Sequence, residues 1–163
     1  MSLDDILLNA SKYNCPYVCV TGGEPLAQPG CFDLLNKLCE SGYKVSLETS
    51  GARDISQVDS RVMVVMDIKT PGSQEVDKNL IDNINFLKST DQIKFVLCSK
   101  ADYLWACDFI VEHNLMDTCC ILFSPSWNEL DATALANWII EDRLNVRYQL
   151  QLHKILWNDT PGH

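Results

Sequence analysis

The chain has 163 residues, 47% of them hydrophobic, and a formal net charge of −9. That length suits one domain, residues 1–163, with a sizeable core, and the acidic balance disfavours non-specific binding to DNA, RNA or anionic membranes. No apolar run is long enough to span a bilayer, and the opening Met1-Ser2-Leu3-Asp4-Asp5 is not a secretory leader.

The elements alternate along the chain. Leu3, Ile6, Leu7 and Ala10 recur at helical spacing behind Ser2, a good N-cap. The apolar run 16–20 reads as a buried strand, and Gly22-Gly23-Glu24-Pro25 follows it. Phe32, Leu35, Leu38 and Cys39 mark one face of a second helix, with Gly42 placed to end it. Strands are expected over 44–49 and 62–68. The second is apolar apart from Asp67, as in a parallel strand covered on both faces. Residues 79–88 look helical and 92–97 read as a strand. A helix over 101–113 is expected to bury Leu104, Cys107, Ile110 and Val111. A strand over 119–123, a helix over 133–142 and a last strand over 146–152 complete the pattern.

Strand alternating with helix implies a parallel α/β sheet with right-handed crossovers. Six strands can form an open doubly wound sheet or a partial barrel, and the pattern alone does not choose. Polar residues fall at the carboxyl ends of successive strands: Glu24, Glu48, Asp67, Lys69, Ser124 and Ser126. Strand ends are often polar because loops are exposed, but one rim holding all of them is also what a barrel-type active site needs. The paired glycines permit positive φ and let a ligand approach the backbone, and Glu24 adds a carboxylate suited to an ammonium. An ordinary strand-to-loop turn is the plainer reading of Gly-Gly alone. In the last expected strand Gln149, Gln151 and His153 alternate with apolar residues. Gln151 can pair with a heterocyclic amide edge, and His153, alone or with Lys154, can hold a carboxylate. A solvated edge strand would look the same.

Eight cysteines are irregularly spaced, which reads as buried reduced thiols in a cytoplasmic protein. Cys15 and Cys19 have a Cys-x3-Cys spacing, but Gly22 stands where a third cysteine would complete a cluster motif. Cys119 and Cys120 are adjacent, so a strand points them to opposite faces. No metal ligand is assigned.

Val20-Thr21-Gly22-Gly23-Glu24-Pro25 after an apolar strand resembles the signature of the radical S-adenosylmethionine (SAM) superfamily. Leu47-Glu48-Thr49-Ser50-Gly51, Asp67-Ile68-Lys69, Gln92-Ile93-Lys94-Phe95-Val96 and the 149–157 segment follow in order. Together they resemble the 7-carboxy-7-deazaguanine synthase family of the queuosine pathway, from about residue 18 onward. The resemblance implies a partial β/α barrel of about six mostly parallel strands. It implies a lyase that uses SAM, a [4Fe-4S] cluster and magnesium to convert 6-carboxy-5,6,7,8-tetrahydropterin to 7-carboxy-7-deazaguanine. By the same resemblance Gly22, Gly23, Glu24, Pro25, Glu48, Ser50, Asp67, Ile68, Lys69, Ser124, Pro125, Ser126 and Trp127 face SAM. Thr21, Gln151, His153 and His163 face the pterin.

The chain departs from that family in one large respect: it has no Cys-x3-Cys-x2-Cys triplet, and the family's first strand and cluster loop are not in it. The chain alone is then expected to be inactive. The strand over 16–20 would have an uncovered edge, inviting self-association. Two other readings stay open. One is a different radical SAM enzyme, such as an activase of a glycyl-radical enzyme. The other is a cluster-free module that binds adenosine compounds or pterins.

Overall fold

A computed structural model of the chain describes residues 2–158 and 160. Six strands, β1 (Tyr17–Val20), β2 (Lys44–Thr49), β3 (Met63–Ile68), β4 (Gln92–Leu97), β5 (Cys120–Pro125) and β6 (Arg147–Tyr148), form one sheet in sequential order. Every neighbouring pair is parallel. A doubly wound sheet reverses its strand order at a switch point. No reversal occurs here, and β1 and β6 do not pair, so the sheet is an open partial barrel.

Strand alternation sorts the two faces. Val45 and Leu47 pack with Leu35 and Leu38 of helix α2 (Cys31–Glu40) in one apolar cluster. Val64, Met66, Ile93, Phe95, Ile121 and Phe123 build a second cluster. It is capped by Tyr103 and Phe109 of α3 (Lys100–Glu112) and by Leu135 and Ile139 of α4 (Ala132–Glu141). Each fully buried leucine or phenylalanine here stabilises the fold by roughly 1.5–3 kcal/mol. Helix α1 (Leu3–Ser11) has no fully buried residue and leans Leu7 against the first cluster. Its start is set by a capping box: the Asp5 amide donates to Ser2 Oγ (3.2 Å), and the Ser2 amide donates to Asp5 Oδ2 (2.9 Å). Gly42, at φ 86°, ends α2 in the left-handed conformation that suits glycine.

Five expectations need correction. Residues 79–88 form no α-helix; a 3-10 turn covers Ile81–Phe86. Asparagines in this stretch bond elsewhere. The buried Asn83 accepts from the Ile55 amide and donates to the Gly51 and Arg53 carbonyls, while Asn79 clamps both the amide and the carbonyl of Lys69. Helix α3 buries Tyr103, Ala106, Phe109 and Ile110, and leaves Leu104 (52% exposed) and Val111 (76%) outside. Apolar residues ring this helix, so periodicity could not fix which face turned inward.

The expected last strand is only two residues long: residues 149–151 are irregular, and α5 (Leu152–Trp157) begins at its last position. The cause is local. The Phe123 carbonyl accepts from the Gln149 amide (2.9 Å), whereas the Ser126 amide donates the other way, to the Leu97 carbonyl (2.8 Å). Pro125 shares the parity of Phe123, so the next N–H that should face β6 does not exist. Finally, the cysteines are not all buried. Cys15 and Cys19 are exposed, Cys31 is buried and the other five are half-buried. β1 lies at the sheet edge, with Tyr17 and Cys19 exposed, so it is not the buried strand that its apolar run implied.

Candidate functional site

The face of the sheet turned away from the helices carries the polar half of the alternation. In register, Glu48 lies beside Val65, Asp67 beside Lys94, and Val96 beside Ser124. Connected clefts run over this face. One of about 120 Å³ is lined by Thr21, Gly23, Glu48, Ser50, Asp67 and Lys69. It shares Glu48 and Lys94 with a cleft of about 520 Å³ that continues over Ser124, Gln149, Gln151 and His153. A third, about 330 Å³, lies between Asp67-Ile68-Lys69 and Ser126. A fourth, about 400 Å³, lies between Pro125-Ser126-Trp127 and Gln151. Volumes of this size suit small organic ligands. The fold thus gathers most of the residues singled out from sequence. His163 lies outside the described residues.

Gly22 (φ 103°) and Gly23 (φ 54°) hold conformations that strain any residue with a Cβ, although a Cβ there would meet nothing within 4 Å. Their requirement is conformational, and it leaves bare backbone at the end of β1. Glu24 behaves differently from the free rim carboxylate expected. Its oxygens accept from Thr49 Oγ1 (2.9 Å to each), the Ser50 amide (2.9 Å), Ser50 Oγ (2.5 Å) and the Leu26 amide (3.0 Å). It caps the 3-10 turn Pro25–Ala27 and ties the end of β1 to the end of β2. Burial works to raise the Glu24 pKa, but these donors outweigh it and hold it below the usual carboxylate range. Glu24 and the buried Pro25 support the clefts from behind.

Glu48 is freer. Among the described residues its one hydrogen bond is accepted from Thr21 Oγ1 at 3.5 Å. Asp67 Oδ2 pairs with Lys69 Nζ at 2.6 Å. Asp67 Oδ1 is buried without a partner, as are Ser124 Oγ and Gln151 Oε1. A buried polar atom left unpaired costs about 1–3 kcal/mol, so three of them bordering one set of clefts call for an occupant with donors. The Ser126 amide is tied to the Leu97 carbonyl, its hydroxyl to Glu129 Oε2 (2.5 Å), and Trp127 stands at the surface, 38% exposed. His153 sits on α5 and not on a strand, yet still lines the largest cleft.

Lys94 escaped the sequence reading as a site residue. The signal was there: a lysine flanked by Ile93 and Phe95 inside a strand, on the alternate face that the helices leave uncovered. Among the described residues no three His, Cys, Asp or Glu side chains are placed to hold a metal ion.

No family model matches the chain. It is 42% identical over 161 residues to a 7-carboxy-7-deazaguanine synthase of Chlorobaculum tepidum, covering 97% of this chain and 73% of that protein. It is 38% identical over 179 residues to the same-named protein of Koribacter versatilis, covering 99% and 79%. Among solved structures it resembles QueE from Escherichia coli, with a TM-score of 0.66 and 20% identity, over 93% of this chain and 64% of that one. It also resembles Streptococcus suis SuiB bound to S-adenosylmethionine, with a TM-score of 0.63 and 16% identity, over 93% and 42%. At such identities the two structures speak for the fold, and the function-bearing likeness is that to the sequence relatives, which align with nearly all of this chain and of which it spans 73% and 79%. The chain belongs to the 7-carboxy-7-deazaguanine synthase family and has the radical SAM fold.

Proposed function

We propose that this chain carries the SAM- and pterin-binding wall of a 7-carboxy-7-deazaguanine synthase, the enzyme that turns 6-carboxy-5,6,7,8-tetrahydropterin into 7-carboxy-7-deazaguanine. The observation that carries this reading is the three buried oxygens without partners, the acceptors Asp67 Oδ1 and Gln151 Oε1 and the hydroxyl Ser124 Oγ, bordering linked clefts. SAM fits such a site, because its ribose hydroxyls and adenine amine are donors. Gly22 and Gly23 offer bare backbone to its methionine end. Ser50 and Glu48 flank it, Asp67-Ile68-Lys69 face its ribose, and 124–127 close around its adenine. Thr21, Gln151 and His153 are the pterin-side residues, with His163 assigned to the same side from the family alone.

The cluster fits less well. It requires three converging thiolates, and Cys15 and Cys19 have Gly22 at the third position of the motif. The described residues offer no three-ligand set, so neither iron nor magnesium is assigned ligands here. We read these residues as binding both small molecules without turnover of their own, in the cytoplasm, with no direct contact to nucleic acid or membrane. The far edge of β1 pairs with no described strand. Self-association through that edge belongs to the same reading, and light scattering coupled to size exclusion would report it.

The test of the function is iron content after anaerobic reconstitution, with calorimetric titration of SAM. SAM binding with less than one iron per chain is the expected result. About four irons per chain, with a dithionite-bleached visible band, would overturn the assignment of the cysteines. Absence of any SAM binding by the folded chain would overturn the assignment of the clefts.

A further inference from the structure

Lys94 stands in the middle of β4, opposite Asp67 in the register, and lines both the cleft over Glu48 and Asp67 and the larger one over Ser124 and His153. The other lysine of this face, Lys69, is neutralised by Asp67 at 2.6 Å. Lys94 has neither a hydrogen bond nor an ion pair with any described residue, although it is half-buried. Glu48 shares both clefts with it and does not pair with it. A half-buried ammonium with no direct ion pair gains from an anion that comes within contact distance. The same cleft offers the acceptors Gln151 Oε1 and the weakly engaged Glu48, and the unpartnered hydroxyl of Ser124. Its occupant should therefore present one anionic group and several N–H or O–H donors.

We propose that Lys94 is the residue that reads the carboxylate of the pterin substrate, with His153 at the rim of the same cleft as its lesser partner. This rests on the function proposed above and adds the specificity determinant. A carboxylated pterin supplies the pattern: a carboxylate for the lysine, and the ring amine and amide N–H groups for the acceptors. A charge-assisted bond of this kind amounts to about 10- to 100-fold in affinity.

The test titrates the 163-residue chain and two variants, Lys94→Met and Lys94→Arg, with 6-carboxypterin, pterin and SAM by calorimetry. Thermal melts check that each variant folds. The wild type should bind 6-carboxypterin at least about tenfold more tightly than pterin. Lys94→Met should erase that preference, with any change in SAM affinity smaller than the loss for 6-carboxypterin, and Lys94→Arg should restore it. A packing role would not follow the ligand's carboxylate in this way. Persistence of the preference in Lys94→Met overturns the inference. So does loss of SAM affinity with the preference intact, which would hand the lysine to the carboxylate of SAM. Equal wild-type affinity for both pterins overturns the inference alone, and binding of neither overturns the pterin reading with it.

Discussion

Glutamine in place of Glu24 isolates the joint between β1 and β2. The carboxylate takes four donors: Thr49 Oγ1, Ser50 Oγ and the amides of Ser50 and Leu26. The Leu26 amide lies on Oε1 and the Ser50 amide on Oε2. Whichever way a glutamine amide is turned, its NH2 meets one of those two N–H groups. One bond is lost and a donor is stranded, at about 1–3 kcal/mol, and the remaining bonds fall from charge-assisted to neutral. Because the group is only part-buried, the total expected is about 2–3 kcal/mol. For a chain of this size that lowers Tm by roughly 5–10 °C. Glu48→Gln is the control, since Glu48 accepts one bond at 3.5 Å and should shift Tm by less than about 2 °C. The Glu24 pKa is lowered in the fold. The carboxylate's contribution is therefore complete above the unfolded value, near 4.5, and is lost as pH falls through the lower folded value. Urea titrations of the wild type and both variants, at neutral pH and then stepwise toward pH 3, measure this directly. A Glu24→Gln loss no larger than that of Glu48→Gln, or one that does not shrink in acid, refutes the reasoning.

Ser124→Ala should leave thermal stability unchanged or raise it slightly, because the hydroxyl it removes is buried and unpaired. SAM or carboxypterin should then bind several-fold more weakly by calorimetry. Gly72→Ala would set a Cβ 2.3 Å from Asp102 Oδ2, where the Gly72 amide now donates to Oδ1 at 2.8 Å. It should cost about 1–3 kcal/mol in urea unfolding by freeing the segment after Lys69 from α3. A thiol reagent such as Ellman's should label two cysteines quickly in the native chain, and a Cys15→Ser, Cys19→Ser double variant should remove that phase. The others react only on unfolding, since burial pushes thiols such as Cys98 and Cys119 up to about 11 and suppresses the thiolate.

Local pattern carried the fold wherever burial and period agreed. The bounds of β2 and β4 are those read from sequence, because buried apolar residues alternate with less buried positions along each. Periodicity alone left the partial barrel and the doubly wound sheet both open; the family resemblance implied the partial barrel, and the sequential parallel pairing of the six strands agrees with it. Residues 79–88 eluded the reading because Asn79 and Asn83 spend their side chains on distant backbone. The face of α3 was misjudged because Leu104 and Val111 are as apolar as the residues it buries. The last strand broke early for want of an N–H at Pro125, a cause visible in sequence only once the neighbour's parity is known. At the site, motif residues were legible as a set, but their division of labour was not. Glu24 proved to be a tie between strands, while Lys94, part of a motif segment but given no role, pairs with no described residue where ligands would sit.

The most direct test of the account is a titration of the 15N-labelled chain with SAM, followed by the shifts of assigned backbone amides. The account predicts saturable changes concentrated at Gly22, Gly23, Ser50, Lys69, Ser124 and Ser126, on the rim of one face. Shifts confined to the outer surfaces of α3 and α4, or no saturable shift in a folded chain, would contradict it.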